Sequence, residues 1–136
     1  MKYMIMVYGS QQDYDVVNGK PTGKPAKSPE DIAKAHAFIL ALHAELAEEG
    51  VLVDGRGLAA PVHTRRLHLR GGAPVVTDGP YPETQEVLAG FTVVECPSYD
   101  HATKVAARFL HPDGLDEYVD VRPVIEGYQH LDDPIV

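Results

Sequence analysis

Residues 28–50, SPEDIAKAHAFILALHAELAEEG, decide the fold. Ser28 can take the free backbone donors of a helix start, and Pro29 suits the first helical position. Asp31 stands third, a shorter substitute for the glutamate of a capping box. Ile32, Ala35, Ile39, Leu42 and Leu46 then recur three or four residues apart, so one stripe of the helix is apolar. Gly50 ends it near Glu49. A helix with one apolar stripe needs another element to cover it, and the flanking sequence supplies strands.

Upstream, residues 3–8 are β-branched and aromatic enough for a strand. Downstream, Val51-Leu52-Val53 runs into Asp54-Gly55-Arg56-Gly57-Leu58 as an edge segment or irregular strand. Residues 62–69 form a better strand, followed by a Gly71-Gly72 reversal and a short strand through Val75-Val76. After a turn at Asp78 and a helical turn around Glu83 to Val87, Phe91 to Glu95 forms another strand. Ser98 opens a second helix, with Ala102, Val105, Ala106 and Phe109 on one face. Tyr118 to Glu126 supplies the last strand. Two single-striped helices and several strands imply one shared sheet. The expected fold is α+β, ferredoxin-like, with a mainly antiparallel sheet and two principal helices on one face. Helices packed on one face leave the other bare, and an identical sheet face is a physical way to bury it, so a homodimer is expected.

The 136 residues suit a single domain over 1–136, with a loop at 9–28 and a C-terminal tail at 127–136. Such a domain buries roughly two-thirds of its unfolded surface, enough for one core. The connection through Gly9, Asn18-Gly19, Pro21, Gly23 and Pro25 is long for a compact domain. It reads either as a lid or ligand-side loop or as an ordered surface insertion.

Composition excludes several classes. No stretch approaches the roughly 20 apolar residues of a spanning helix. Met1 to Tyr8 is too short for a signal peptide and lacks a small-residue cleavage pattern, so a cytoplasmic protein is expected. The net charge of −8, without clustered Lys and Arg beyond Arg65-Arg66, argues against nucleic acid and anionic membranes as partners. Cys96 is the single cysteine, which excludes an internal disulfide and a cysteine-rich zinc site. Its neighbours Glu95 and Pro97 offer no cation to activate the thiol, so it reads as a small apolar residue. The Gly71-Gly72 pair lacks the spacing of a phosphate loop or dinucleotide motif. No cofactor and no metal site is expected.

The run Val76-Thr77-Asp78-Gly79-Pro80-Tyr81-Pro82-Glu83-Thr84 sets an acid, a reversal and a second acid within a few residues. It stands in order with Tyr3-Met4-Ile5-Met6-Val7-Tyr8-Gly9, Leu46-Ala47-Glu48-Glu49-Gly50, Gly90-Phe91 and Val121-Arg122-Pro123-Val124. Taken together these resemble the DGPF type of the YCII-related family over most of the chain. Tyr81 replaces the name-giving Phe, and Gln85 stands where similar proteins commonly have Lys. The resemblance implies a ferredoxin-like domain that dimerises through sheet faces as a dimeric α+β barrel. It also implies either an accessory role linked to transcriptional regulation or a His and Asp arrangement for catalysis near the first long helix.

Asp78 can accept the donors of its own turn, or serve as a functional carboxylate facing Arg122, whose fork suits a carboxylate or an anionic ligand. Arg122 precedes Pro123, which favours extended backbone. His36 and His43 project similarly but stand about 10 Å apart along the helix. That is wrong for one zinc ion, and each is either a boundary residue or an acid/base. His63 and His68 fall on opposite sides of their strand and form no obvious pair. Tyr8 and Tyr81 suit either packing or the rim of a small-molecule pocket. The candidate catalytic residues are therefore Asp78, His36 and His43, and the candidate ligand-binding residues Tyr8, Asp78, Tyr81 and Arg122. The functional expectation is a small-molecule-binding or accessory protein, with a proton-transfer or isomerisation enzyme as the alternative.

Overall fold

The computed structural model describes residues 1–23, 28–78, 84–112 and 117–126. The order is β1 (Lys2–Gly9), α1 (Gln11–Val17), α2 (Pro29–Glu48), β2 (Leu52–Gly57), β3 (Arg65–Arg70), β4 (Ala73–Asp78), β5 (Val87–Glu95), α3 (Tyr99–Ala107) and β6 (Val119–Pro123). Strands β2, β5, β1 and β6 form one antiparallel sheet in that order, while β3 and β4 form a separate two-stranded sheet.

Alternation along the central strands sorts the side chains. Tyr3 and Ile5 of β1, with Thr92 and Val94 of β5, are buried beneath α2 and α3. Leu42 and Leu46 of α2, and Ala102, Val105, Ala106 and then Phe109 of α3 and its exit, close the same core. Tyr3, Ile5, Leu46 and Val94 are the largest fully buried side chains, each worth about 1.5–3 kcal/mol of burial for a typical large apolar residue. Cys96 belongs to this core, and burial pushes its thiol pKa up, away from reactivity. The helix starts are capped as their residues demand. The Ser28 hydroxyl accepts from Asp31 N–H at 3.1 Å, and the Ser98 hydroxyl accepts from His101 N–H at 3.1 Å.

Four expectations require correction. First, the single-sheet, two-helix ferredoxin-like plan and the closed dimeric α+β barrel are replaced by a mixed α+β fold with two antiparallel sheets and three helices. The Gly71-Gly72 reversal, with φ of 55° and 81°, folds β3 back on β4 so that these strands pair with each other, and neither forms a ladder with the four-stranded sheet. The four-stranded sheet stays open. Second, α1 lies inside the 9–28 connection, held by a reciprocal capping box between Ser10 and Asp13. Third, Thr84 to Glu86 hold no helix among the described residues, and β5 begins already at Val87. Fourth, β3 begins at Arg65, because Pro61–His63 form a tight helical turn. No helix among the described residues is long and apolar enough to cross a membrane.

Candidate functional site

The helix-side face of the sheet is uneven. Over β1 and the centre of β5 it is filled by core side chains, but toward β2 it presents glycine. Gly55 and Gly57 of β2 pair with Thr92 and Gly90 of β5, so three of these four facing positions lack a side chain. Glycine inside a strand leaves space or admits a close approach, and here it does both. A Cβ at Gly55 would stand 3.0 Å from His43 Cε1 and 3.6 Å from Thr92 Oγ1, so the bare backbone lets the imidazole lie against β2. A Cβ at Gly90 would press on the Arg56 carbonyl oxygen at 3.0 Å. A Cβ at Gly57 would meet nothing within 4 Å.

The result is a cleft of about 370 Å3 between α2 and the β2–β5 pair. Val7, Ile39 and Phe109 contribute its apolar walls, with Gly55, Gly57 and Gly90 along the floor. Small-molecule sites typically have this size and mixture, apolar walls with one or two convergent polar groups. The polar pair is His43 and Thr92, with Nε2 3.2 Å from the threonine hydroxyl oxygen. Thr92 is buried and His43 half-buried, and the His43 ring also packs on Phe109 with centroids 6.1 Å apart. The hydrogen bond engages Nε2, and Nδ1 has no described partner. No carboxylate lines the cleft among the described residues.

The other sequence candidates lie elsewhere. His36 is exposed on α2, two turns before His43, and does not line the cleft. Asp78 ends β4, opposite Arg65 in the hairpin, and is exposed. Arg122 lies in β6, opposite Met4, on the sheet face away from the helices. Asp78 and Arg122 thus belong to different sheets, and no hydrogen bond or ion pair joins them. Tyr81 lies outside the described residues. Tyr8 donates to Asp120 Oδ2 at 2.8 Å and stacks on Tyr118 with centroids 5.5 Å apart. Tyr118 in turn donates to Glu86. These bonds favour the neutral phenols, raising the Tyr8 pKa and pushing that of Tyr118 up to about 12.

Sequence reasoning therefore reached His43 but missed Thr92 and the glycine floor. A signal was present. Gly55, Gly57 and Gly90 interrupt strand-like runs, and such glycines mark a close approach or an opening. Among the described residues, no group of three or more His, Cys, Asp or Glu is placed to hold a metal ion.

Comparison with known proteins agrees with the sequence motifs at the level of the family. An uncharacterized protein of Rhizobium meliloti (strain 1021), R00369, is 28% identical over 99 residues, which cover 73% of this chain and 80% of its own length. The YCII-related domain model matches residues 1–126 without singling out the DGPF type. With nearly the whole chain matched by that domain, the protein belongs to the YCII-related family.

Proposed function

We propose that this chain is a small-molecule-binding protein whose ligand occupies the His43 cleft. The observation that carries this reading is the glycine floor: three strand glycines keep open a space that ordinary side chains would fill. Apolar walls supply the affinity for a compact, largely apolar molecule through surface burial. His43, tethered to Thr92, supplies the one polar contact that fixes its orientation. Binding is favoured over proton transfer because an imidazole acting as general base is usually oriented by a carboxylate or similar group, and none lines this cleft among the described residues. An unbiased metabolite-binding screen, followed by turnover assays on its hits, tests the choice. Binding without conversion supports the accessory reading, and conversion abolished by His43→Gln supports the enzymatic one.

The binding unit is a homodimer joined through the sheet face opposite the helices. Across that face the register sets Arg56, Phe91, Met6 and Asp120 in one row and Asp54, Val93, Met4 and Arg122 in the next. An apolar centre is thus flanked by edges of opposite charge order. A two-fold axis in the interface, parallel to the strands, brings Arg56 over Asp120 of the second copy and Asp54 over its Arg122. Such self-complementarity is what an isologous interface requires. Light scattering at several concentrations tests it, and a strictly monomeric particle would end the dimer reading.

A further inference from the structure

We propose that Tyr14 is the end stop of the His43 cleft, and that the ligand is an elongated molecule with one polar head and an apolar tail of limited length. The inference rests on the small-molecule reading and adds to it the shape and direction of the ligand.

The sheet register lays the cleft out in rows. Gly55 and Thr92 form the first row, under the His43 ring, with Ile5 beside Thr92 on β1. Gly57, Gly90 and Val7 form the second, and two of these three carry no side chain. Gly9 follows two residues further along β1, on the same face as Val7. Ala89 lines the cleft and is skipped by the β1–β5 register. Its Cβ stands 3.4 Å from where a Gly9 Cβ would be, so it turns to this same face. The floor therefore continues past Gly90 with little on it. From Ile5 to Gly9 the strand spans about 13 Å.

Tyr14 covers that far end. Its Cε1 lies 3.6 Å from the Gly9 Cβ position, which sets the phenol ring over Gly9 beside Ala89. Two hydrogen bonds hold α1 there. The Tyr14 hydroxyl donates to the Leu58 carbonyl at 2.9 Å, and Gln11 Oε1 accepts from Val62 N–H at 2.9 Å. Leu58 directly follows the floor residue Gly57. The ring thus blocks the path that a longer ligand would take beyond Ala89.

Polarity gives the direction. His43 and Thr92 offer hydrogen bonds in the first row. Gly57, Gly90, Val7 and Ala89 offer none from side chains, and the Tyr14 hydroxyl is engaged by Leu58. A hydroxyl-bearing head at His43 with an unbranched apolar tail along the glycines matches that order.

The test is an NMR titration of the full chain with para-alkylphenols of increasing tail length. In the wild type, affinity should rise about fourfold for each methylene buried. It should stop rising at the member whose tail reaches Tyr14. That tail end should show nuclear Overhauser contacts to the Tyr14 ring, while the phenol head perturbs His43 and Thr92. Tyr14→Ala should lift the limit, so that longer members again gain about fourfold each. If this variant folds poorly, the wild-type contacts decide alone. Affinity that climbs without limit in the wild type, or tail contacts away from Tyr14, would overturn the stop and leave the cleft standing. A folded Tyr14→Ala that keeps the wild-type limit would do the same. Alkylphenols that bind away from His43, or not at all, would overturn the ligand shape, and the metabolite screen tests the cleft separately.

Discussion

His43 and Thr92 form a bond between two elements far apart in sequence: Nε2 of the α2 histidine lies 3.2 Å from the hydroxyl oxygen of the β5 threonine. It ties the helix to the sheet beside an otherwise glycine-lined gap and fixes the ring that faces the cleft.

Thr92→Val keeps the branched shape of this buried side chain and deletes its hydroxyl. The expected loss of stability is about 1 kcal/mol, read from urea unfolding. His43 ring signals should broaden or shift in NMR spectra as the imidazole loses its anchor. A variant with wild-type stability and unchanged ring signals would show that the bond does not hold the histidine.

Gly55 and Gly57 stand two residues apart on β2, yet alanine should act differently at each. At Gly55 the new Cβ meets His43 Cε1 at 3.0 Å, so the ring or the strand must give. The expected destabilisation is about 1–3 kcal/mol, the usual range for overpacking. At Gly57 the Cβ meets nothing within 4 Å, and thermal unfolding should barely change. Equal effects at the two positions would contradict the geometry.

Much of this was legible in the chain. Ser28, Pro29 and Gly50 marked α2, and Gly50 does take a left-handed φ of 76° at its end. The stripe is less complete than its period implies. Leu42 and Leu46 are buried, Ile32 and Ile39 only half-buried, and Ala35 exposed. Periodicity gives the direction of a face but not how far the covering sheet extends. The capping box of α1 was readable at Ser10 and Asp13, but its short helix carries one buried residue, Val16, too few to show a period. The separation of β3 and β4 from the main sheet was not legible, because strand pairing depends on contacts distant in sequence. Neither was Thr92 as the partner of His43, which only the sheet register brings together.

Arg108 clamps the ends of α2 and α3. Its guanidinium donates to both Glu49 carboxylate oxygens at 3.0 Å and to Glu45 at 2.9 Å. That bond holds the Glu49 carboxyl below its usual range. The clamp's stabilisation is therefore full above the ordinary glutamate pKa and disappears as pH falls through the lowered folded value. Arg108→Gln should return the Glu49 titration, followed by carboxyl NMR shifts, toward the ordinary range. The stability gap between the two proteins should close in acid. A gap that persists there would assign the effect to packing of the arginine stem.

Tyr118 should be the last tyrosine of its cluster to ionise. Its hydrogen bond to Glu86 pushes its pKa up to about 12, and that of Tyr8 is raised by Asp120. Because the folded value is raised, this contribution to stability is present below the ordinary phenol pKa of roughly 10 and is lost as pH climbs through the folded value. Glu86→Gln removes the charge and should bring the tyrosinate absorbance transition down. An unchanged transition would exclude Glu86 as its cause.

The cleft at His43 is tested most directly by filling it. Gly57 lines the cleft, and its absent Cβ points into open space, so Gly57→Leu should obstruct the site without straining the strand. The decisive measurement is a two-dimensional NMR metabolite screen on the wild type and on Gly57→Leu. The expected result is that binders perturb His43, Gly55, Gly90 and Thr92 in the wild type. Gly57→Leu should lose them while keeping its unfolding temperature. Binders that perturb residues away from the cleft, or that bind Gly57→Leu with unchanged affinity, would contradict the assignment.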